Sequence, residues 1–171
     1  MGSEMCIRDS YSAEDIEKVR GPETILVSSS DVVAEYGAGE VLEPGRTKTI
    51  DGAKIFGVAS YNPAKQFHPK RNNWLGFVLD LGGERIYYAG DTDLIEEMKS
   101  LSNIDVALLP VGGTYTMDAA AACEAAEYIN PKLAVPYHWG DIVGGEQDAR
   151  RFEQLANCKV TVLKQGEMMQ L

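Results

Sequence analysis

Nothing in this 171-residue chain approaches the roughly 18 consecutive apolar residues of a membrane span, and its first residues lack the basic-then-apolar order of a secretory signal. These absences argue against a membrane-embedded or exported protein, so a cytoplasmic location is expected. Cysteine is scarce: Cys6, Cys123 and Cys158 are an odd number, without the close spacing of a zinc ribbon or the density of a disulfide framework. They read as free thiols in a reducing compartment. Positive charge is short as well, with 16 Lys and Arg against 26 Asp and Glu and a formal net charge of −10. Such a surface repels phosphate backbones and anionic lipid, so nucleic acid is not an expected partner. Repeats, low-complexity tracts and linkers are also missing, and the length with 44% apolar residues fits one domain with a sizeable core.

Met1 to Ser10 carries no periodicity and joins abruptly to a well-formed helix start. The stretch MGSEMCIRDS resembles an engineered leader, so residues 1–10 are expected to be foreign or disordered and the domain to occupy 11–171. Ser12 and Asp15 then form an S-x-x-D capping box for a helix through Glu17, Lys18 and Val19.

Short strands alternate with short helices from there, a rhythm of layered α/β or α+β architecture. Thr24 to Val27 reads as a strand, and Ser30 as the cap of a helix that stops at Gly37. Val41-Leu42, Glu43 to Arg46 and Thr47 to Ile50 read as strand, turn, strand, and Asp51-Gly52 turns the chain into Ala53 to Ser60. Trp74 to Leu81, Gly82-Gly83 and Arg85 to Ala89 are a strong hairpin signal. Helices are expected near Leu94–Lys99, Asp118–Tyr128 and Gln147–Leu155, and strands at Val106–Leu109, Leu133–Val135 and Val160–Leu163.

Two of these strands end in chemistry. Tyr87-Tyr88-Ala89-Gly90-Asp91 puts a carboxylate just past a strand's C-terminal end, where α/β sheets present ligand groups, and Gly90 lets the backbone bend there. Asp93 with Glu96 reads instead as a D-x-x-E helix cap. Lys132 to Gly140 repeats the pattern, with His138 at the tip and Gly140 allowing close approach. Carboxylate and neutral imidazole are what zinc prefers, and manganese or iron also accept them. A lone histidine is more often a packing residue, but two strand-end groups of matching chemistry favour Asp91 and His138 as metal ligands.

In order along the chain, GDTD after a hairpin, ALLPVGGTYTMD, and a helix followed by PKLAVPYHWGDIVG resemble the C-terminal two-thirds of the metallo-β-lactamase-fold hydrolases. The nearest likeness is to the branch holding the ascorbate-phosphate lactonases and the N-acyl phosphatidylethanolamine phospholipase D enzymes, and it runs from Tyr11 to Leu171. The resemblance implies an α+β fold, an αββα sandwich of two sheets between helices, here incomplete at the N-terminus. It also implies a divalent metal, zinc or manganese, that activates water against an ester, lactone or phosphodiester. Asp91 matches the metal-bridging, catalytic aspartate and His138 the last histidine ligand.

The family's second motif carries a histidine soon after its strand. Here Asn62 takes that slot, and His68 follows six residues later. Three readings of His68 stay open: a displaced metal ligand, an acid that touches substrate, or a loop imidazole packed on Pro69. Lys70 and Asn72, beside Arg71 and Asn73, suit an anionic small-molecule substrate, or else form a solvated basic turn. Gly112-Gly113 either lines the cleft or simply makes a turn.

The family's H-x-H-x-D-H motif has no counterpart. Cys6 to Ser10 occupies its place, with Asp9 on the aspartate and Ser10 where a histidine belongs. The expectation is therefore a hydrolase with impaired metal occupancy and activity, prone to marginal stability or homo-oligomer formation. The alternative is a non-catalytic remnant that binds an anionic metabolite. A haloacid-dehalogenase-like magnesium loop at Gly90 to Asp93 would need a D-x-D-x-T/V motif on an early strand, which the sequence does not contain.

Overall fold

A computed structural model describes residues 11–140 and 143–170. The expected leader, with Asp9 and Ser10, lies outside the described residues. Helix α1 spans Ala13–Val19 and starts as its capping residues require, with the Asp15 amide donating to the Ser12 hydroxyl at 3.2 Å. Strand β1 (Val27–Ser28), helix α2 (Ser30–Tyr36) and strand β2 (Glu40–Val41) follow, and α2 stops at Gly37 in the left-handed region. The N-cap of α2 is Ser29 rather than Ser30; its hydroxyl donates to the Asp31 carboxylate at 2.6 Å instead of capping the backbone.

Seven strands make the main sheet: β3 (Thr47–Ile50), β4 (Ala53–Ala59), β5 (Leu75–Leu81), β6 (Glu84–Tyr88), β7 (Val106–Pro110), β8 (Leu133–Tyr137) and β9 (Lys159–Val160). They lie side by side in chain order. From β3 to β6 the neighbours are antiparallel, and from β6 to β9 they are parallel. The connections explain the change of sense. Asp51-Gly52 and Gly82-Gly83 all take positive φ and fold the chain straight back, whereas the later strands are joined by a 3₁₀ turn at Glu96–Ser100, helix α3 (Ala119–Ile129) and helix α4 (Glu146–Leu155).

These crossovers pack on one face of the sheet. Ala119, Ala122, Ala125, Ala126 and Ile129 are the buried residues of α3, and their small side chains let it lie close against a core built on Tyr87, Met98, Leu109 and Phe152. The directions of pairing put the C-terminal ends of β4, β6, β7 and β8 along a single edge of the sheet, and every candidate ligand stands on a loop leaving that edge.

The architecture is the expected mixed α/β one, with a large sheet and four α-helices. Four local expectations change. Val41 does not turn back onto Thr47–Ile50, because β2 pairs in parallel with β1 as a separate two-stranded sheet. The Leu94–Lys99 helix becomes an extended Ile95 followed by a 3₁₀ turn, with Ile95 and Met98 buried. The strands expected at Thr24–Val27 and Val160–Leu163 contract to Val27–Ser28 and Lys159–Val160. Cys123 and Cys158 are free thiols, and among the described residues no helix is long and apolar enough to cross a membrane.

Candidate metal centre

The two strand tips that carry Asp91 and His138 are bent by different means. Past β6, Gly90 takes φ +71°, and a Cβ there would meet the Ser60 Oγ at 2.8 Å and the Leu75 carbonyl at 2.9 Å, so only glycine turns the chain this tightly. Past β8 the bend falls on His138 itself, at φ +60°, a conformation non-glycine residues rarely hold without a tertiary reason. The reason lies on the strand between them. Gly112, two residues beyond β7, passes so close that a Cβ would meet the His138 carbonyl at 2.4 Å and its Nδ1 at 3.1 Å. The His138 Nε2 then stands 3.7 Å from the Asp91 Oδ1, with the two side chains only 21% and 9% exposed. That separation exceeds a hydrogen bond and matches two donors reaching for one small cation, each at roughly 2.0–2.2 Å.

Beneath them, Tyr88 ends β6 and Tyr137 ends β8. Their rings stack with centroids 5.0 Å apart, and the Tyr137 hydroxyl donates to the Gly90 carbonyl at 2.5 Å. Burial pushes both phenols up, and the negative charge of Asp91 adds to it, so each stays a neutral group beside the carboxylate.

The loop after β4 brings in the third candidate. Its anchor is Asn62, which is 4% exposed. The Asn62 Nδ2 donates to the Tyr115 carbonyl at 2.9 Å, its Oδ1 accepts from the His68 amide at 3.1 Å and lies 2.8 Å from the His68 Nδ1, and its own amide donates to the His68 carbonyl at 2.7 Å. His68 is 5% exposed and meets the Trp74 ring edge-on at 5.5 Å. Lys65 fastens the same loop across the edge, through Asp93 at 2.6 Å and the carbonyls of Thr116 at 2.8 Å and Gly113 at 3.2 Å. Asp93 therefore caps no helix. It is a counter-ion, because the segment after it is extended, and the fully buried Thr92 beside it locks onto the backbone of Tyr61.

A cavity of about 490 Å³ opens between this edge, the second face of the sheet and α2. Asp91, His68 and Asn72 all line it, so the structure brings these three sequence candidates to one space, with His138 against Asp91. Lys70 does not line it. Its ammonium pairs with Glu97 at 2.7 Å, sits 4.7 Å from the Tyr61 ring centre and borders a separate cavity of about 300 Å³. Trp74, Phe77 and Tyr88 on the sheet side and Asp31 and Glu35 on α2 also line the larger cavity, together with Ser28, Ser29, Ser60, Val32 and Leu75. Sequence reasoning missed Asn62, which held the slot of a histidine, and the constraint at Gly112, which a simple turn explained equally well.

The donor set falls short of a whole metal centre. Zinc asks for three or four good ligands, and among the described residues no group of three or more His, Cys, Asp and Glu side chains converges closely enough to hold an ion. Asp91 and His138 form a pair, with a second imidazole in the same cavity wall.

A family model described as a beta-lactamase superfamily domain matches residues 8–138. A UPF0173 metal-dependent hydrolase of Symbiobacterium thermophilum is 34% identical over 157 residues, covering 82% of this chain and 70% of that protein. A second, from Pyrococcus abyssi, is 34% identical over 161 residues, covering 91% and 64%. The crystal structure of a candidate metal-dependent hydrolase from Parabacteroides distasonis superposes with a TM-score of 0.80 at 32% identity, over 88% of this chain and 69% of that one. The chain thus spans roughly two-thirds of the length of each.

Proposed function

The chain belongs to the UPF0173 metal-dependent hydrolases of the beta-lactamase superfamily, and on that premise we propose that it serves hydrolysis of an ester or lactone, with Asp91, His138 and His68 as its donors to a divalent ion, zinc or manganese. One observation carries the reading: Asp91 and His138, 47 positions apart in sequence, meet at 3.7 Å on the tips of β6 and β8. A carboxylate and an imidazole converging at a sheet edge, beside two neutral phenols, form a charged, half-closed corner suited to a cation. The described donors alone do not complete such a centre, so binding by this chain is weak and its activity impaired.

The walls of the cavity favour one bond class over another. Phosphodiesters arrive with a fixed negative charge, yet among the described residues no Lys or Arg lines this space, while Asp31, Glu35 and Asp91 do. Trp74, Phe77 and Tyr88 offer apolar and aromatic surface to an uncharged acyl or lactone portion, and the Asn72 amide can orient its oxygen. The second reading, a non-catalytic module that binds a small molecule in the same cavity, is favoured by the short donor count among the described residues.

Calorimetric titration of the chain with zinc and with manganese, paired with turnover of a nitrophenyl ester, a simple lactone and a nitrophenyl phosphodiester, tests the proposal. Weak binding of one ion, abolished in Asp91→Ala and in His138→Ala, and ester or lactone turnover above phosphodiester turnover are expected. Submicromolar binding of two ions refutes the weak-site reading, and binding indifferent to both substitutions refutes the site. Small-molecule binding with no metal-dependent turnover would establish the second reading.

A further inference from the structure

We propose that Asn62 is a positioning residue that fixes the tautomer of His68, holding the proton on Nδ1 and leaving Nε2 as the lone-pair nitrogen of the ring. The inference deepens the metal-site reading above, but the tautomer is set by the protein alone.

The argument follows donor and acceptor rules around one buried amide. An Asn side chain has one end that only donates and one that only accepts. The Tyr115 carbonyl, 2.9 Å from one end, can only accept, so that end is the NH₂ group. Oδ1 is then the end turned toward His68, and the His68 backbone N–H at 3.1 Å confirms the sense, because it can only donate. The same oxygen lies 2.8 Å from Nδ1. Since a carbonyl oxygen has nothing to donate, Nδ1 must carry the hydrogen, and a neutral imidazole has only one. Histidine in water prefers the other tautomer, with the proton on Nε2, so the fold reverses the intrinsic preference.

The surroundings make the reversal firm. Asn62 is 4% exposed and His68 5%, and both backbones close the loop through the Asn62 amide donating to the His68 carbonyl at 2.7 Å. Flipping the amide would set NH₂ against an N–H and one carbonyl oxygen against another, at a cost of several unsatisfied buried groups. The Tyr115 segment that takes Nδ2 is itself held by an edge contact between the Phe67 and Tyr115 rings, with centroids 4.9 Å apart. The Trp74 edge fixes the plane of the imidazole. In the neutral form of the ring, Nε2 then carries the lone pair on the wall shared with Asp91. That nitrogen can ligate a cation or accept a proton. Partners of this kind, gripping the far nitrogen of a ligating histidine, commonly contribute about 10–100-fold in metal affinity.

The test uses the whole chain, ¹⁵N-labelled and stripped of metal with a chelator, at one mildly alkaline pH. Long-range ¹H–¹⁵N correlation spectra report which ring nitrogen is protonated, and His138→Gln assigns the two histidines. His68 is expected to carry its proton on Nδ1 in the unsubstituted chain and in Asn62→Asp, which keeps an acceptor, and on Nε2 in Asn62→Leu. A wild-type His68 protonated on Nε2, or an Asn62→Leu chain still protonated on Nδ1, overturns the inference. If Asn62→Leu does not fold, the wild-type spectrum alone decides. Zinc titration of the same samples separates the two claims: a tautomer that switches while zinc affinity stays constant removes His68 from the metal site and leaves the inference standing.

Discussion

The chain's two histidines are held in opposite ways. His68 sits in a long irregular loop and is fixed by its side chain, through Asn62, Trp74 and burial. His138 sits directly on the end of a regular strand and is fixed by its backbone, forced to φ +60° in space that Gly112 leaves open. The loop needs side-chain hydrogen bonds because it has few ladder bonds to define it, whereas the strand tip inherits its position from the sheet and needs only room. A site residue can thus be placed by specific partners or by the absence of a neighbouring side chain, and the two devices break under different substitutions.

The largest expected effect breaks the strand-tip side. Gly112→Ala puts a methyl against the His138 backbone and the Val143 side chain, and should cost about 3 kcal/mol in denaturant unfolding, with zinc binding lost because the tip must move. A smaller effect separates the histidines directly. Removing the buried, bonded imidazole in His68→Ala should cost about 2 kcal/mol. His138→Gly relieves a left-handed residue while loosening the unfolded chain, and should stay within about 1 kcal/mol of the parent, yet both substitutions should weaken metal binding. Equal destabilisation by the two would erase the distinction.

The smallest effect, absent near neutral pH, sharpens the comparison through the buried tyrosines of β6 and β8. Burial, with a lesser push from Glu97, holds the Tyr87 phenol well above its ordinary value, and burial with Tyr88 and Asp91 does the same for Tyr137. An unfolded phenol loses its proton near about 10, so above that pH the unfolded chain binds fewer protons than the folded one and stability falls as pH rises toward the folded values. Thermal unfolding between mildly and strongly alkaline buffer should show a decline starting near that point. His68→Ala should not change its onset, because neither tyrosine belongs to the loop.

The Asp91 and His138 candidates were legible because each follows a short apolar run and a turn, the signature of a group at a strand end. Asp93 was misread for a related reason. Its D-x-x-E spacing is a genuine capping pattern, but Lys65 supplies a cation from 28 positions upstream and the segment stays extended. Lys70 looked like an anion anchor beside its neighbours in sequence, while Glu97, 27 positions away, claims its charge. Long-range partners leave no local pattern, which is also why Asn62 looked like an empty slot rather than the grip on His68.

Hairpin turns, helix caps and the alternation of strand and helix were written in local residue chemistry, where glycine, capping hydroxyls and apolar runs act over a few positions, so the sequence alone determined the layered α/β plan and two strand-end ligand candidates. Which charges pair, which histidine nitrogen holds its proton, and that Asp91 and His138 stand 3.7 Å apart were decided only by the tertiary structure. Those outcomes depend on strand order and on the direction of each strand, which bring distant side chains to one edge, and no short stretch of chain encodes that.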